Sequence, residues 1–376
     1  MNQSEIEANL PNGCKTESGK IAAAPALIQS LPPGPLDIIG DIHGEFDALN
    51  SLLQHLGYDQ DGEHPNDRTL IFVGDFCDRG PDSPAVLALV ERLVTTGRAM
   101  AVLGNHELNL LREDPKDGSG WYFDERQERD NAKYHPFKRP SSTEKAPIAK
   151  FLASLPIGLE RADLRVVHAA WIPDQIEQVR SLPVTSLLQH YERWNQVVVQ
   201  QAKLIKQRMQ EELRDWQHGL ENPAMQPPFL PAHAEHDAIH QMMNPIRVLT
   251  SGVERNGDVP FFAGGKWRFV KRAAWWDTYD DTIPVVVGHY WRRFHCAARD
   301  AFGKGDMDLF ENIAPHAWHG QSGNVFCIDF SVGARWSARK KNTEPHHFKL
   351  AALQWPERVL RFDDGHGLAT DGFMLA

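Results

Sequence analysis

The sequence predicts an α/β protein whose strands are buried on both faces and alternate with helices. Three short apolar runs, at residues 36–39, 69–73 and 99–103, are aliphatic or β-branched, which is typical of strands covered on both sides. The stretches between them, 46–56 and 83–95, carry apolar residues at helical spacing. This alternation of strand, helix and strand is the repeating unit of an α/β sandwich.

The composition is that of a globular chain with one large core. The 376 residues are 41% hydrophobic and 24% charged, which leaves room for an inserted subdomain. The formal net charge of -10 disfavours non-specific binding to nucleic acid, which depends on clustered Lys and Arg. The four cysteines are scattered, the start lacks signal-peptide features, and no stretch approaches 18 apolar residues. We therefore expect a cytoplasmic protein with reduced thiols and no membrane contact.

The chain is expected to form one main domain. Residues 1–33 are polar and rich in Ala and Pro, which predicts a flexible arm before a domain at 34–376. A long polar helix, from residue 186 to about 221, predicts a helical insertion at about 176–225. The favoured interpretation is a solvated helix packed on the core, and the alternative is a cap that selects substrate. Further strands are predicted at 164–167, 283–287, 325–329 and 348–354.

Polar motifs follow the first three predicted strands, at the point where each strand ends. They are Gly-Asp-Ile-His-Gly at 40–44, Gly-Asp-Phe-Cys-Asp-Arg-Gly at 74–80 and Gly-Asn-His-Glu at 104–107. Each begins with a glycine, which lets the backbone turn sharply before the polar side chains. Two later strands end at His168 and His289. Because open α/β sheets bind ligands beyond the carboxyl ends of their strands, these side chains are predicted to share one site.

The three motifs resemble those of the calcineurin-like metallophosphoesterase superfamily. The forms at 74–80 and 104–107 are similar to its phosphoprotein phosphatase branch. Residues 288–291, Gly-His-Tyr-Trp, resemble instead the bacterial dinucleotide tetraphosphatases and related bacterial phosphatases. The resemblance covers about 38–329 and is densest in its first 75 residues. It implies a two-sheet β-sandwich flanked by helices, in four αββα layers, with a helical insertion.

The resemblance also implies the ligands of two divalent metal ions. Carboxylate, imidazole and amide ligands suit Mn, Fe, Zn or Ni better than Ca, and manganese is the expected metal. A bridging carboxylate can hold two cations about 3.5–4 Å apart, and their charge lowers the pKa of a shared water. By resemblance, Asp41 and His43 bind the first ion, Asp75 bridges both, and Asn105, His168 and His289 complete the second site.

Three further side chains are expected to act on the phosphoryl group. His106 follows the ligand Asn105 and is the expected general acid for the leaving oxygen. Asp78 is the expected partner that orients the His106 ring. Arg79 is expected to bind the phosphoryl oxygens, since a guanidinium matches phosphate in a bidentate way. The alternative for Arg79 is a structural ion pair with Asp78 or Glu107.

A second phosphate-binding arginine is expected between the two late histidines. Arg255, Arg268 and Arg272 are the candidates. Asp329 follows a predicted strand and is expected to be structural. The tryptophans of the region favour core packing, with a stacking wall for a nucleobase as the alternative. They are Trp267, Trp275 and Trp276.

Three functions are compatible with these residues. The motifs at 74–80 and 104–107 favour a phosphomonoesterase that acts on phosphoserine or phosphothreonine in proteins. The surroundings of His289 and the tryptophans favour a symmetrical bis(5'-nucleosyl)-tetraphosphatase or a hydrolase of nucleotide-capped RNA ends. An inactive metal-binding protein is disfavoured because no expected ligand is missing. The expected partners are accordingly a phosphorylated protein or a nucleotide polyphosphate.

Overall fold

The computed structural model describes residues 25–216, 218–263, 265–294, 308–344 and 347–374. Within these ranges the chain forms two main β-sheets, one separate hairpin and helices on the outer faces of the sheets. In this described part, no helix combines the length and the apolar character that crossing a membrane would require.

The elements alternate along the first half of the chain as the sequence predicts. The strands are β1 (Ile28–Ser30), β2 (Leu36–Ile39), β3 (Thr69–Phe72), β4 (Ala99–Ala101), β5 (Gly158–Arg161), β6 (Leu164–Val167), β7 (Glu254–Ala263), β8 (Lys266–Arg272), β9 (Val285–Val287), β10 (Val325–Cys327), β11 (Ala351–Trp355), β12 (Val359–Phe362) and β13 (Gly367–Ala369). The helices are α1 (Phe46–Leu56), α2 (Ser83–Thr95), α3 (Asn105–Leu111), α4 (Asp124–Tyr134), α5 (Ser142–Leu152), α6 (Pro173–Val179), α7 (Leu187–Asp215), α8 (Pro231–Met242), α9 (Pro245–Ser251) and α10 (Arg335–Lys341).

The first sheet has six strands in the order β13-β12-β11-β2-β3-β4. Strands β2, β3 and β4 are parallel, so their carboxyl ends and the motifs that follow them lie at one edge. Strand β11 pairs antiparallel with β2 on one side and with β12 on the other, and β12 pairs antiparallel with β13.

The second sheet has five strands in the order β1-β5-β6-β9-β10. Strands β6, β9 and β10 are parallel, with Val166 opposite Val286 and Val286 opposite Phe326. The two late histidines follow β6 and β9, so this sheet presents them at one edge as well.

The two sheets pack face to face through one apolar cluster. Ile38 and Ile71 of the first sheet and Val166 of the second belong to it, and all three are fully buried. Their strand neighbours Ile39 and Val167 belong to a second cluster with the helices, because successive side chains point to opposite faces of a strand. The result is the four-layer αββα arrangement that the resemblance implied.

Helices α1 and α2 have the bounds that the sequence predicts, and local signals explain their ends. Helix α1 stops at Gly57, which takes a left-handed φ of 95° and donates its N–H to the carbonyl oxygens of Leu53 and Gln54. Asp82 caps the N-terminus of helix α2, because its carboxylate accepts the N–H of Ala85.

The insertion consists of α7, α8 and the hairpin β7-β8. The predicted long helix is observed as α7, 29 residues long, which ends at Asp215 rather than near residue 221. Helix α8 packs on the hairpin through a small apolar cluster that includes Leu230, Trp267 and Phe269. Because this cluster is separate from the two main ones, the hairpin and α8 form a satellite of the sandwich.

The predicted boundary of the N-terminal arm is wrong at its carboxyl end. Strand β1 pairs in parallel with β5, and Ile28 lies opposite Gly158. Leu27 is fully buried and its N–H donates to the carbonyl oxygen of Leu182 at 2.7 Å. The short apolar stretch at 26–28 therefore supplies an edge strand, and the rest of the predicted arm, residues 1–24, lies outside the described residues.

Candidate active site

The ends of β2, β3 and β4 bring the three polar motifs together. The N–H groups of Ile42 and His43 donate to the carbonyl oxygen of Asp75, at 3.0 and 2.9 Å, and so join the first motif to the second. The third motif approaches so closely that a Cβ on Gly104 would lie 2.3 Å from Asp75 Oδ1. A glycine is therefore required where the third motif meets the carboxylate of Asp75.

The carboxylate of Asp75 lies between two sets of histidines. Its Oδ2 is 3.7 Å from His43 Nε2, and its Oδ1 is 3.4 Å from His168 Nε2. Two buried groups of side chains have the spacing of metal ligands, and both include Asp75. One group is His43, Asp75 and His106, and the other is Asp75, His168 and His289. One carboxylate common to two ligand groups is the arrangement that a pair of bridged cations needs.

Backbone carbonyl groups orient two of the rings. His43 Nδ1 is 2.9 Å from the carbonyl oxygen of Cys77, and His168 Nδ1 is 2.8 Å from that of Val73. Because a carbonyl oxygen only accepts, both Nδ1 atoms carry a proton, and both Nε2 atoms face Asp75. Such an outer contact is what normally orients a histidine ligand toward a metal ion.

His289 and Asn105 complete the cluster from the second sheet and from α3. Asn105 Oδ1 is 2.9 Å from His289 Nδ1 and 3.1 Å from His168 Nε2. His289 Nε2 is buried and has no hydrogen-bond partner within the described part of the chain. A buried nitrogen without a partner is costly unless a ligand satisfies it, so these residues fit a divalent cation.

Asp41 lies at the rim of the cluster, where the two sheets meet. Both of its carboxylate oxygens accept the N–H of His289, at 3.1 and 3.2 Å. A Cβ on Gly288 would lie 2.0 Å from Asp41 Oδ1, so glycine is needed at this contact. Asp41 is outside the two shared ligand groups, but it joins the first motif directly to the loop after β9.

The buried charges shift the pKa values of these groups in opposite directions. Burial, and then the charge of Asp329, raises the pKa of Asp41 well above its usual range. Burial alone would raise the pKa of Asp75, but the charges of His168 and His106 hold it well below its usual value. Burial opposes protonation of His168 too, yet Asp75 and Asp41 raise its pKa to about 10. The carboxylates of the cluster therefore need a positive partner, which a cation supplies on displacing that proton.

His106, the expected general acid, is held from behind by a carboxylate and an indole. His106 Nδ1 is 2.5 Å from Asp78 Oδ2, and Trp121 Nε1 donates to Asp78 Oδ1, also at 2.5 Å. Asp78 and Trp121 are each 1% exposed. The expected pairing of His106 with Asp78 is present, and Trp121 is a positioning residue that the sequence analysis did not identify.

Arg79 faces the cluster instead of pairing with a carboxylate. Its Nη1 is 2.9 Å from His43 Nε2, and its Nη2 is 3.0 Å from His106 Nε2. Its guanidinium carbon lies 4.8 Å from the centre of the Trp291 ring. The guanidinium therefore bridges His43 and His106, and Trp291, which the sequence analysis left unassigned, covers one face of it.

Glu107 fixes the second motif from α3. Its carboxylate accepts the N–H groups of Asp75 and Phe76, both at 2.8 Å, and that of Gly104 at 3.1 Å. The thiol of Cys77 donates to it at 3.2 Å. One fully buried carboxylate thus receives four donors and holds the loop that carries Asp75.

The backbone at the site is strained. Twelve non-glycine residues in the described part of the chain have positive φ. Half of them belong to the cluster or touch it, and such a conformation costs about 1–3 kcal/mol per residue. Strain of this kind persists only where surrounding contacts enforce it. The six are His43, Asp75, Asp78, Arg79, His289 and Trp291.

The three candidates for the second arginine are placed differently. Arg272, at the end of β8, is close enough that its charge, after burial, lowers the pKa of His289 well below its usual value. Arg268 Nε donates to the carbonyl oxygen of Ala263 within the hairpin, at 3.2 Å. Arg255 is exposed on β7. Of the three, Arg272 is therefore the one whose charge acts on the pKa of a residue of the cluster.

The tryptophans expected near that arginine are core residues. Trp275 is 3% exposed and donates its Nε1 to the carbonyl oxygen of Ala169. Trp276 is 1% exposed and stacks on Phe310 with ring centres 5.5 Å apart. Trp267 belongs to the satellite cluster. The alternative of a stacking wall for a nucleobase is wrong for these residues, because their faces are already covered.

The fold and the cluster define the class: an α/β sandwich with a candidate two-metal site at the carboxyl ends of its strands. Residues 34–218 match the family model described as calcineurin-like phosphoesterase.

Curated relatives match a shorter stretch. The asymmetrical bis(5'-nucleosyl)-tetraphosphatases PrpE of Oceanobacillus iheyensis and Anoxybacillus flavithermus are 48% identical over 80 residues and 49% identical over 79 residues. Each match covers 20% of this chain and 32% of the relative, so the chain spans about a third of the relatives' length.

Solved structures match over more of the chain at lower identity. A cold-active protein-tyrosine phosphatase of a psychrophile Shewanella species is 15% identical, with 98% of this chain and 89% of that chain covered and a TM-score of 0.43. A protein serine/threonine phosphatase from Saccharomyces cerevisiae is 21% identical, with 40% and 44% covered and a TM-score of 0.28.

Proposed function

We propose that this protein is a metal-dependent phosphatase, which hydrolyses phosphate esters or anhydrides with water. The observation that carries the proposal is the shared position of Asp75 between two buried ligand groups, beside the His106–Asp78 pair. The match of residues 34–218 to the calcineurin-like phosphoesterase model supports the same reaction class.

We propose that two divalent ions, manganese in the first instance and Fe, Zn or Ni as alternatives, occupy the cluster. When bound, such a pair would lower the pKa of a water molecule and offset the charge of the phosphoryl oxygens. The proposed ligands are Asp41, His43 and Asp75 for the first ion, and Asp75, Asn105, His168 and His289 for the second.

The chain's own groups supply the rest of the chemistry. His106 would deliver a proton from Nε2 to the leaving oxygen, while the Asp78 carboxylate at Nδ1 stabilises the charged ring. Arg79 would release His43 and His106 and bind two phosphoryl oxygens. Arg272 is proposed as the second arginine on that group, since its charge already reaches His289.

Two substrate classes follow. The motif forms favour phosphoserine or phosphothreonine in proteins, as the sequence predicts. The relatives favour a dinucleoside tetraphosphate, because the 80 matched residues are 48% identical to a protein named as an asymmetrical tetraphosphatase. The symmetrical mode of cleavage expected from the sequence stays a prediction. A cytoplasmic location, with no membrane or non-specific nucleic-acid partner, also stays a prediction.

The test is a substrate panel with manganese-loaded protein and a chelator blank. The panel contains p-nitrophenyl phosphate, a phosphothreonine peptide and diadenosine tetraphosphate. We expect turnover of at least one substrate that depends on the metal and is lost in Asp75→Asn together with the bound metal. Metal-bound protein that turns over none of the three would refute the proposal and favour an inactive metal-binding protein.

A further inference from the structure

A cleft of about 210 Å³ is lined by residues of α3, of α9 and of the first turns of α7. Three cationic side chains and one carboxylate line it: Arg112, Lys116, Arg247 and Asp114. We call it the arginine cleft. With the Glu192 carboxylate, which is 4.0 Å from Arg112 Nε, three positive charges face two negative ones and leave an excess of one, on a chain whose formal net charge is -10.

The cleft continues from the metal-ligand cluster along one face of α3. Asn105, Asn109 and Arg112 are spaced by four and three residues, so they line the same face. Asn105 contacts the rings of His168 and His289 at one end of this row, and Arg112 lies in the cleft at the other. Seven residues of helix correspond to a distance of about 10 Å.

The opposite wall is also tied to the cluster. Ser251, the last residue of α9, lines the cleft. The carbonyl oxygen of Leu249 in the same helix accepts the N–H of Ala169, the residue after His168, at 3.0 Å. Both walls of the cleft therefore lead to the second ligand group.

Tyr191 holds two guanidinium groups in the cleft. The Arg112 guanidinium carbon lies 4.3 Å from the centre of its ring. Its hydroxyl oxygen accepts from Arg247 Nε at 3.0 Å and from Nη2 at 2.6 Å. A third donor of Arg247, Nη1, bonds the carbonyl oxygen of His240 at 3.1 Å. One tyrosine thus brings together two like charges, which repel each other unless an anion compensates them.

The hydrogen-bonding capacity of these groups is not exhausted by the chain. Arg112 Nε is buried and makes no hydrogen bond within the described residues, and the Glu192 carboxylate is 4.0 Å away from it. Arg112 and Lys116 both pair with Asp114, at 3.1 and 2.6 Å, so one carboxylate serves two cations. A guanidinium has five N–H donors, and the hydrogen bonds of Arg247 described above use three of them.

We propose that the arginine cleft is an anion subsite, which binds a second phosphate group of the same substrate. This inference rests on the proposed function, because it assumes that the first phosphate binds at the ligand cluster. A distance of about 10 Å along α3 requires several linked phosphates between the two ends. The substrate class is therefore a polyphosphate, such as the phosphate chain of a dinucleoside polyphosphate, rather than a single phosphoserine.

The first experiment compares two substrates in single variants. Arg112→Gln and Arg247→Gln each remove a charge and keep most of the side-chain length. Arg208→Gln is the matched control, since Arg208 is an exposed residue of α7 that pairs with Glu235. For each variant, kcat/KM is measured with diadenosine tetraphosphate and with p-nitrophenyl phosphate, which has one phosphate.

The readout is the kcat/KM for diadenosine tetraphosphate divided by the kcat/KM for p-nitrophenyl phosphate. We expect it to fall roughly tenfold in either cleft variant, the size typical of one lost charge-assisted hydrogen bond, and to stay constant in the control. Tyr191→Phe removes the acceptor of Arg247 but keeps the ring, and should give a smaller fall. Equal losses on both substrates would overturn the subsite. A selective loss on a doubly phosphorylated peptide, with none on the tetraphosphate, would overturn the assignment to polyphosphate.

A binding measurement separates the cleft from the reaction. Inorganic tripolyphosphate is titrated calorimetrically into chelator-treated protein. Wild-type protein and Arg208→Gln should bind it, and the Arg112→Gln/Arg247→Gln double variant should bind at least tenfold more weakly. Equal binding by all three proteins would contradict the assignment of the arginine cleft as an anion subsite, even if turnover is observed. If wild-type protein turns over no substrate, the proposed function fails. The titration then still tests whether the arginine cleft binds a polyphosphate.

Discussion

At the scale of single residues, the informative feature is the chain of contacts from Trp121 through Asp78 to His106. An indole N–H and an imidazole N–H donate to the two oxygens of one buried carboxylate. Both donors fix the rotamer of Asp78, so the ring of His106 is oriented before any substrate arrives. A positioned acid of this kind contributes to rate through proton transfer rather than through binding.

Replacing His106 should separate proton transfer from metal binding. In His106→Asn we expect turnover to fall by roughly 10²–10⁴, the usual contribution of a general acid. Metal content, measured on the same preparation, should stay at the wild-type level, since the proposed ligands are unchanged. Full activity of this variant toward a substrate with a poor leaving group would contradict the assignment of His106.

Replacing Trp121 should weaken the acid without removing it. Trp121→Phe takes away the N–H donor to Asp78, and we expect kcat to fall roughly tenfold. The fall should be larger for phenyl phosphate than for p-nitrophenyl phosphate, because the poorer leaving group depends more on protonation. Trp318→Phe is the control, as it loses a hydrogen bond to Thr370 away from the cluster. Equal falls on the two substrates would indicate a structural role only.

At the scale of elements, α3 organises the second motif through Glu107. The helix begins with the proposed ligand Asn105 and the proposed acid His106, and the next residue, Glu107, presents the carboxylate that receives the loop of Asp75. A single helix therefore sets the position of a proposed ligand, a proposed acid and the loop that carries Asp75. This explains why the strained φ angles of that loop persist.

Removing the charge of Glu107 should loosen this loop. In Glu107→Gln one oxygen becomes an NH₂ group, which cannot accept a hydrogen bond. At the position of Oε2 it would face the N–H groups of Asp75 and Gly104, and at that of Oε1 the N–H of Phe76 and the thiol of Cys77. We expect the free energy of unfolding, measured by urea titration, to fall by at least about 2 kcal/mol. Glu128→Gln, at an exposed position of α4, should change it by less than about 0.5 kcal/mol. Matching stabilities of the two variants would argue against this role for Glu107.

The elements also show what sequence patterns can predict. Apolar runs and helical spacing predicted β2, β3, α1 and α2 closely, because these elements are dictated by burial along a short stretch. The expected ligands converge because each directly follows a strand. Trp121 and Trp291 were missed because their contacts lie across the fold: Trp121 reaches Asp78 over 43 residues of chain. Strand β1 was missed because three residues are too short for a clear pattern.

At the scale of the whole molecule, the cluster lies where the two sheets meet. Asp41 and Asp75 follow strands of the first sheet, and His168 and His289 follow strands of the second. Asp329, predicted to be structural, follows β10 and accepts the N–H groups of Trp291 and Ser331. Its charge also raises the pKa of Asp41, after burial, so three buried carboxylates share this region.

Metal removal should therefore destabilise the whole protein. An ion that binds only the folded state at 100 times its Kd adds about 2.7 kcal/mol to the free energy of unfolding. For a chain of this size we expect the Tm, measured by calorimetry, to drop by several degrees on chelation and to recover with manganese. Asp75→Asn should show a reduced response to manganese. An unchanged Tm of the wild-type protein with and without metal would contradict the proposed metal site.

The long insertion between His168 and His289 makes this protein suited to being split. A cut between α7 and α8 would leave Asp41, Asp75, Asn105 and His168 on one fragment and His289 on the other. Neither fragment could complete the second ligand group, however well it folded. Restored phosphatase activity would then report reassembly of two polypeptides, and the chain could serve as a two-part sensor for the association of any proteins fused to its halves.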